Sequence, residues 1–149
     1  MNRKRMAFVG AVLAVVLSCL GAPTRAAEAV DLNLRTGYRA LTLPLPASRL
    51  VNIKPGDRVD VLVTFEWKLG EKSKEKEPIT ATLLQNVVVL KTSLFDKDTG
   101  TVELEVNPNE AQYAVLAMQP GYTVWLIARA TDDKDMKPME MASFQKLFR

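Results

Sequence analysis

The sequence has no histidine and only one cysteine, Cys19, in 149 residues. Without histidine the chain lacks the commonest general base and the commonest metal ligand in proteins. Cys19 falls in the apolar run near the N-terminus, so the remainder of the chain has no thiol and cannot form a disulfide. These absences argue against zinc, copper and thiol chemistry. An enzyme would have to depend on carboxylates, serine, lysine or tyrosine.

Residues 1–26 predict a secretory signal peptide. Basic residues at positions 3–5 precede an apolar run over 6–20, which is short for a membrane span. Thr24 and Ala26 are small residues at the two constrained positions before a cleavage site, so cleavage is expected after Ala26. The mature chain would then be a periplasmic protein of 123 residues that begins at Ala27.

The net charge changes once this signal is removed. The full sequence has a formal charge of +3, but four of its basic residues lie in the signal and every acidic residue follows Ala26. Sixteen basic residues then face seventeen acidic ones, a net charge of −1. A near-neutral exported domain is not expected to bind nucleic acid or an anionic membrane surface.

Cys19 leaves one alternative open. The segment Val16-Leu17-Ser18-Cys19 loosely matches the signal of a bacterial lipoprotein, whose lipidated cysteine becomes the new N-terminus, although Leu17 is bulky for that motif. The preferred interpretation is a removed signal peptide. If Cys19 is lipidated, or if the leader is retained, the protein would be held at a membrane. Lipidation of Cys19 would attach it to the outer membrane.

The mature chain has a length typical of one domain with one hydrophobic core. We expect a leader segment over 27–36, a single domain over 37–130, and a mobile polar tail over 131–149 that can form a short helix. Within the domain, a charged run over 69–78 is expected to be a solvated loop.

Apolar periodicity predicts a domain made mainly of strands. The clearest strand is near 58–65, where Val59, Val61 and Val63 share one face. Pro44 and Pro46 are expected to stop any sheet pairing beyond Leu43. The expected strands are 38–43, 58–65, 79–90, 102–106 and 122–129, the last covered on both faces. Glu103 and Glu105 are expected to point outward from the fourth.

Turn-forming residues and a bulge are predicted between and within these strands. Lys54-Pro55-Gly56-Asp57 predicts a turn with a positive φ at Gly56, and Gln85-Asn86 predicts a bulge within a long strand. Asp96-Lys97-Asp98-Thr99-Gly100 predicts a hairpin turn.

A single helix is expected after the fourth strand. Asn107 as the N-cap, Pro108 at the first helical position and Glu110 predict a capping box, and Pro120-Gly121 ends the helix. The predicted fold class is α+β and predominantly β. It is a small, mostly antiparallel sheet or a partly open barrel, with one short helix packed on it.

Two serine and lysine pairs have the spacing of an active-site motif. Ser73 with Lys76, and Ser143 with Lys146, match the Ser-x-x-Lys pattern of penicillin-binding enzymes. The companion motifs Ser-Asp-Asn and Lys-Thr-Gly are absent from the sequence. Chance therefore explains both pairs better than catalysis does.

Two groups of aspartates also invite a functional interpretation. Asp96, Asp98 and Gly100 hint at a calcium loop, but the glycine comes one position early for an EF-hand. Asp57 and Asp60 flank the start of a strand, where capping of a turn is the ordinary role. The sequence therefore assigns no catalytic, cofactor-binding or metal-binding residue.

A free edge of the sheet is the favoured interaction surface. Trp67, Trp125, Tyr113 and Tyr122 could stack against a carbohydrate or cell-wall fragment, although aromatic residues on strands are more often packed. A free strand edge, with unpaired N–H and C=O groups, could accept a strand from a partner.

Four segments resemble, in order and spacing, the periplasmic domain of the CpaB/RcpC family, which assembles Flp (tight-adherence) pili beside an outer-membrane secretin. These segments are 38–44, 54–63, 83–90 and 102–111. The most specific parts are Pro55-Gly56-Asp57-Arg58-Val59-Asp60-Val61-Leu62 and Leu84-Gln85-Asn86-Val87. The resemblance covers about 37–130. It implies a non-enzymatic periplasmic assembly factor without a cofactor, whose partners are the secretin or other pilus-assembly envelope proteins.

The chain departs from this family pattern in one respect. Typical members have a SAF domain, a small β-clip module, upstream of the matching domain, and here only about ten residues separate the signal from the match. A short form that lacks most of the SAF domain is therefore expected. Two alternatives stay open, namely a periplasmic carbohydrate or cell-wall-binding domain and a chaperone similar to the flagellar P-ring accessory protein.

Overall fold

A computed structural model describes residues 33–68 and 75–147, which belong to one compact unit, Leu32–Arg149. The predicted signal peptide, Cys19, residues 27–32 of the leader and Ser73 lie outside the described residues. Six strands, two short α-helices and a 3-10 helix (Ala47–Arg49) make up this part of the chain. The strands are β1 (Arg39–Pro46), β2 (Arg58–Lys68), β3 (Lys76–Leu94), β4 (Thr99–Val106), β5 (Tyr122–Ala128) and β6 (Ala142–Ser143). The α-helices are α1 (Pro108–Leu116) and α2 (Phe144–Leu147).

The strands form one open sheet in the order β1-β4-β3-β2-β5, with β6 added beside β3. All of the paired strands are antiparallel. The predicted fold class, predominantly β with a helix packed on a mostly antiparallel sheet, is therefore confirmed. The charged run is shorter than expected, because β3 already begins at Lys76 and pairs with the end of β2.

Two prolines belong to β1, which continues to Pro46 instead of stopping at Leu43. Pro44 pairs with Thr101 of β4, and Pro46 pairs with Thr99. The prediction that pairing stops beyond Leu43 is wrong because β1 is an edge strand, where a proline nitrogen can face away from the neighbouring strand without breaking the ladder.

The core lies on one face of the sheet, beneath α1. Val59, Val61 and Val63 point into it, as their alternation predicts. Leu104 on β4 and Ala114 on α1 are also buried there. Burial of this apolar face supplies the main favourable free energy of folding, because it removes apolar surface from water.

The start of α1 has the predicted capping box. Asn107 Oδ1 accepts hydrogen bonds from the N–H groups of Asn109 (2.9 Å) and Glu110 (3.0 Å). The Glu110 carboxylate accepts in return from the Asn107 N–H at 2.7 Å. This exchange satisfies backbone donors that the first helical turn cannot pair internally, so α1 begins at a fixed residue.

The predicted bulge lies in the middle of β3, at the point where this strand changes its neighbour. Asn86 has a φ of 59°, and the pairing with β2 shifts register on either side of Val61. Arg58 donates to Asn86 Oδ1 at 2.9 Å, and Asn86 donates its N–H to Asp60 at 2.9 Å. These contacts hold the bend that lets β3 pair mainly with β2 in its first half and with β4 in its second.

The turn before β2 also forms as predicted. Gly56 has a φ of 91°, and the Asp57 N–H bonds back to the Lys54 carbonyl at 3.1 Å. The Gly56 N–H donates to the Val89 carbonyl at 2.8 Å, which ties the turn to β3.

Replacing Gly56 with valine is expected to lower the free energy of unfolding by about 1 to 2 kcal/mol. A β-branched residue is strained at this positive φ, although space for a side chain is available there. Urea denaturation of Gly56→Val should be compared with Lys97→Ala, an exposed substitution at a hairpin tip that should change stability by about zero. Equal midpoints for the two variants would contradict the assigned turn.

One strand residue expected at the surface is buried. Glu105 is only 5% exposed, although its side chain points away from the core. Arg35, in the segment before β1, covers it by donating a backbone N–H (2.8 Å) and its Nε–H (2.7 Å) to the carboxylate. The sequence pattern predicted the direction of the side chain, but not the segment that packs over it.

The polar tail is fastened to the sheet, contrary to the expectation of a mobile segment. The Gln85 side chain donates to the Lys137 carbonyl (2.8 Å) and accepts from the Lys137 N–H (3.1 Å). Further along, β6 pairs Ala142 and Ser143 with Thr80 and Ile79 of β3. This segment of β3 therefore has β6 on one side and β2 on the other. The predicted short helix of the tail is α2.

Candidate interaction surface

The sheet has two end strands, β1 and β5, and each has a long edge without a neighbouring strand among the described residues. On β5, the Tyr122 N–H bonds to Gln119, while the N–H of Arg129, just beyond the strand, bonds to the Arg58 carbonyl of β2. Backbone groups alternate in direction along a strand, so Val124, Leu126 and the other even-numbered residues face the open edge. Unpaired backbone groups of this kind can accept a further strand.

The two open edges line one cleft of about 230 Å³. β1 contributes residues 43–46 and β5 contributes residues 122–124. Arg49 enters the cleft, donates to the Val124 carbonyl at 2.7 Å and lies 4.0 Å above the centre of the Trp125 ring. Arg49 therefore occupies one acceptor of the β5 edge, which leaves β1 as the less obstructed edge.

The open edge of β1 offers more acceptors than donors. The backbone nitrogens of even-numbered β1 residues point outward, away from β4. Two of these residues, Pro44 and Pro46, have no N–H, so the outward donors are the N–H groups of Ala40 and Thr42. Ala40 and Thr42 are both solvent-exposed. A partner strand could therefore form regular backbone pairs only along the first half of β1.

The four aromatic residues singled out by the sequence do not form one surface. Trp67 and Tyr122 meet through Phe65, whose ring lies 6.4 Å from that of Trp67 and 5.5 Å from that of Tyr122. Trp125 lies on the opposite face, because it donates to Thr64 at 3.1 Å, and Tyr113 is exposed on α1. The expectation that both faces of β5 are covered is also wrong, since Trp125 is 40% exposed.

Two of the aspartates considered as candidate sites, Asp57 and Asp96, have local structural partners. Asp57 accepts from the Lys54 N–H at 2.8 Å, which caps the turn. Asp96 accepts from the N–H groups of Asp98 and Thr99, both at 2.7 Å, and these hydrogen bonds lower the pKa of its carboxyl. Within residues 33–68 and 75–147 no group of histidine, cysteine, aspartate or glutamate side chains could hold a metal ion.

Asp60 takes part in a charged cluster at the end of β5. The Arg129 side chain is 7% exposed and donates to Asp60 (2.8 Å) and Asp133 (2.8 Å). Hydrogen bonds with these two carboxylates raise the pKa of Arg129, and its hydrogen bond lowers the pKa of Asp133. The cluster joins β2 to the tail, so the role of Asp60 is structural. Arg129 was not predicted from the sequence, because Asp60 is 69 residues away in the chain.

The Ser-x-x-Lys pair of the tail is not arranged for catalysis. Ser143 is buried in β6, whereas Lys146 forms an ion pair with Glu140 at 2.9 Å and lowers the pKa of that carboxyl by its hydrogen bond. A serine nucleophile needs its base within hydrogen-bond reach. Lys146 is instead engaged by a carboxylate.

Comparison with known families gives a match over residues 29–129 to a family described as Flp pilus assembly protein RcpC/CpaB. The chain belongs to the RcpC/CpaB family. Neither a curated protein nor a solved structure matches it. Neither α1 nor α2 has the length and apolar composition of a membrane span, and residues 33–68 and 75–147 contain no other candidate.

The RcpC/CpaB match includes β1 to β5 and ends at Arg129. It therefore covers the two open edges and the cleft between them. The tail lies beyond the match and is attached to the RcpC/CpaB domain through Arg129, Gln85 and β6.

Proposed function

We propose that this protein is a non-enzymatic periplasmic factor that assembles Flp pili by binding the outer-membrane secretin or a protein associated with it. The match to the RcpC/CpaB pilus assembly family over 29–129 is the observation that carries the proposal. The N-terminal signal pattern supports export to the periplasm. Asp57, Asp60 and Asp96 have structural partners, and Lys146 is paired with Glu140, which supports binding over turnover.

The proposed contact is the open edge of β1. This strand ends the sheet, and its exposed residues Ala40 and Thr42 direct their backbone groups away from β4. A strand from the partner would pair with these groups, which gives affinity through the backbone and register through the side chains.

Replacing Thr42 with proline is expected to abolish piliation when this variant complements a deletion strain. The substitution removes one outward N–H, and the same strand already accepts prolines two and four residues later, so the ladder with β4 should be kept. Surface pili would be counted by electron microscopy. A photo-crosslinker at Ala40 in the wild-type chain should capture the partner, and Thr42→Pro should reduce this crosslink.

Thr42→Ala is the matched control, because it removes the side chain but keeps the N–H, and it should restore piliation. Thermal denaturation of both variants checks that they are folded. Normal piliation in the deletion strain would contradict the role in pilus assembly. Normal piliation with Thr42→Pro, in a strain where deletion abolishes pili, would contradict only the β1 contact.

A further inference from the structure

Three aromatic side chains form an open cluster at one end of the core face of the sheet. Phe65 and Trp67 are alternate residues of β2, and Tyr122 is the β5 partner of Phe65. The Trp67 ring meets Phe65 edge-on, with an interplanar angle of 85°. Trp67 is 57% exposed and Tyr122 is 42% exposed, so a substantial part of this aromatic surface is accessible from solvent.

A carboxylate with an unsatisfied oxygen lies beside this cluster. Glu77 of β3 is the direct partner of Trp67, and such partners have Cβ atoms about 4.5 to 5.5 Å apart on the same face. Its Oε1 atom is buried and has no hydrogen-bond partner among the described residues. An unpaired buried carboxylate oxygen is unfavourable, and native proteins usually satisfy such groups with a donor.

The nearest basic side chains on β2 and β3 point to the opposite face of the sheet. Lys68 follows Trp67 on β2 and is paired with Lys76, which precedes Glu77 on β3. Side chains alternate between the two faces along a strand, so both lysines lie on the opposite face from Trp67 and Glu77. Neither Lys68 of β2 nor Lys76 of β3 therefore places its charge beside Glu77 and the aromatic rings.

We propose that Phe65, Trp67, Tyr122 and Glu77 form a binding site for an arginine side chain of a partner protein. A guanidinium can lie against an aromatic ring, which attracts cations through its quadrupole. The same planar group can donate two parallel hydrogen bonds to a carboxylate. An aromatic face next to an unpaired carboxylate is complementary to this chemistry. The site does not depend on the proposed pilus function, and purified protein is sufficient to test it.

The test uses the peptide acetyl-Gly-Arg-Gly-amide and the fluorescence of Trp67. Trp125→Phe provides the background, because Trp67 and Trp125 are the two tryptophans of the chain. We expect a saturable change with the arginine peptide and none with acetyl-Gly-citrulline-Gly-amide, which has nearly the same shape but no charge. Glu77→Gln should weaken binding about tenfold, since it removes the charge-assisted hydrogen bonds.

Glu66→Gln is the matched control. It removes the same charge from the neighbouring β2 position, whose partner is Pro78 and whose side chain is on the opposite face. Affinity should be unchanged in this variant. The absence of saturable binding, equal binding of both peptides, or equal effects of Glu77→Gln and Glu66→Gln would overturn the proposal. Binding that appears only after Lys72 and Lys74 are replaced with alanine would also overturn it, because the chain's own loop would then fill the site.

Discussion

Leu104→Ala is expected to lower the free energy of unfolding by about 3 to 5 kcal/mol. Leu104 lies on β4, between β1 and β3, and is fully buried in the core. Truncation removes contacts with core side chains from the neighbouring strands and leaves a cavity that a closely packed sheet face cannot close. Urea denaturation, with the midpoint and slope fitted together, measures the change.

Leu94→Ala is the matched control for this prediction. Leu94 ends β3 and is 59% exposed, so the same truncation should change stability by about 0.5 kcal/mol or less. A loss below about 1 kcal/mol for Leu104→Ala would mean that β4 does not present this residue to the core.

Gly100→Ala is expected to lower the free energy of unfolding by about 3 kcal/mol. A Cβ at this position would lie 2.7 Å from the Ser93 carbonyl oxygen and 2.9 Å from Leu50 Cδ1. The carbonyl belongs to the paired strand β3 and cannot move without disturbing the ladder with β4. Thermal and urea denaturation should both show the loss.

Gly121→Ala separates crowding from backbone conformation. Gly121 has a φ of 92° and open space around the position of a Cβ, so alanine should cost only about 1 kcal/mol there. If Gly121→Ala were the more costly of the two substitutions, the close packing of the β3–β4 hairpin would be contradicted.

The sequence predicted those features whose cause lies within a few residues. The positive φ of Gly56 follows from its turn, and the capping box of Asn107 and Glu110 follows from their spacing. The bulge at Asn86 was also predicted, because Gln85-Asn86 interrupts a β-branched run. Local chemistry was sufficient in each case.

The features that were missed depend on residues far apart in the chain. Pro44 is tolerated because β1 ends the sheet, and Glu105 is buried because Arg35 reaches it from the segment before β1. Periodicity alone gives neither the order of the strands nor the path of a flanking segment.

The candidate arginine site was missed for a related reason. Trp67 and Tyr122 were recognised as candidates, but Phe65 continues the apolar alternation of β2 and was assigned to that strand. Glu77 was assigned to a solvated charged run, and only the register of β2 with β3 places it opposite Trp67. A pairing register cannot be derived from the composition of the loop between two strands.

The order of the strands also sets an order of folding. β2, β3 and β4 follow one another in the chain and pair as successive hairpins, so their contacts close short loops. β1 pairs with β4, which follows both β2 and β3 in the chain. β5 pairs with β2 but is separated from it in the chain by β3, β4 and α1. The two strands with open edges are therefore expected to be the last of β1 to β5 to pair. A partner that pairs with β1 would stabilise a part of the sheet whose formation has a large loop-closure entropy cost, because β1 and β4 are far apart in the chain.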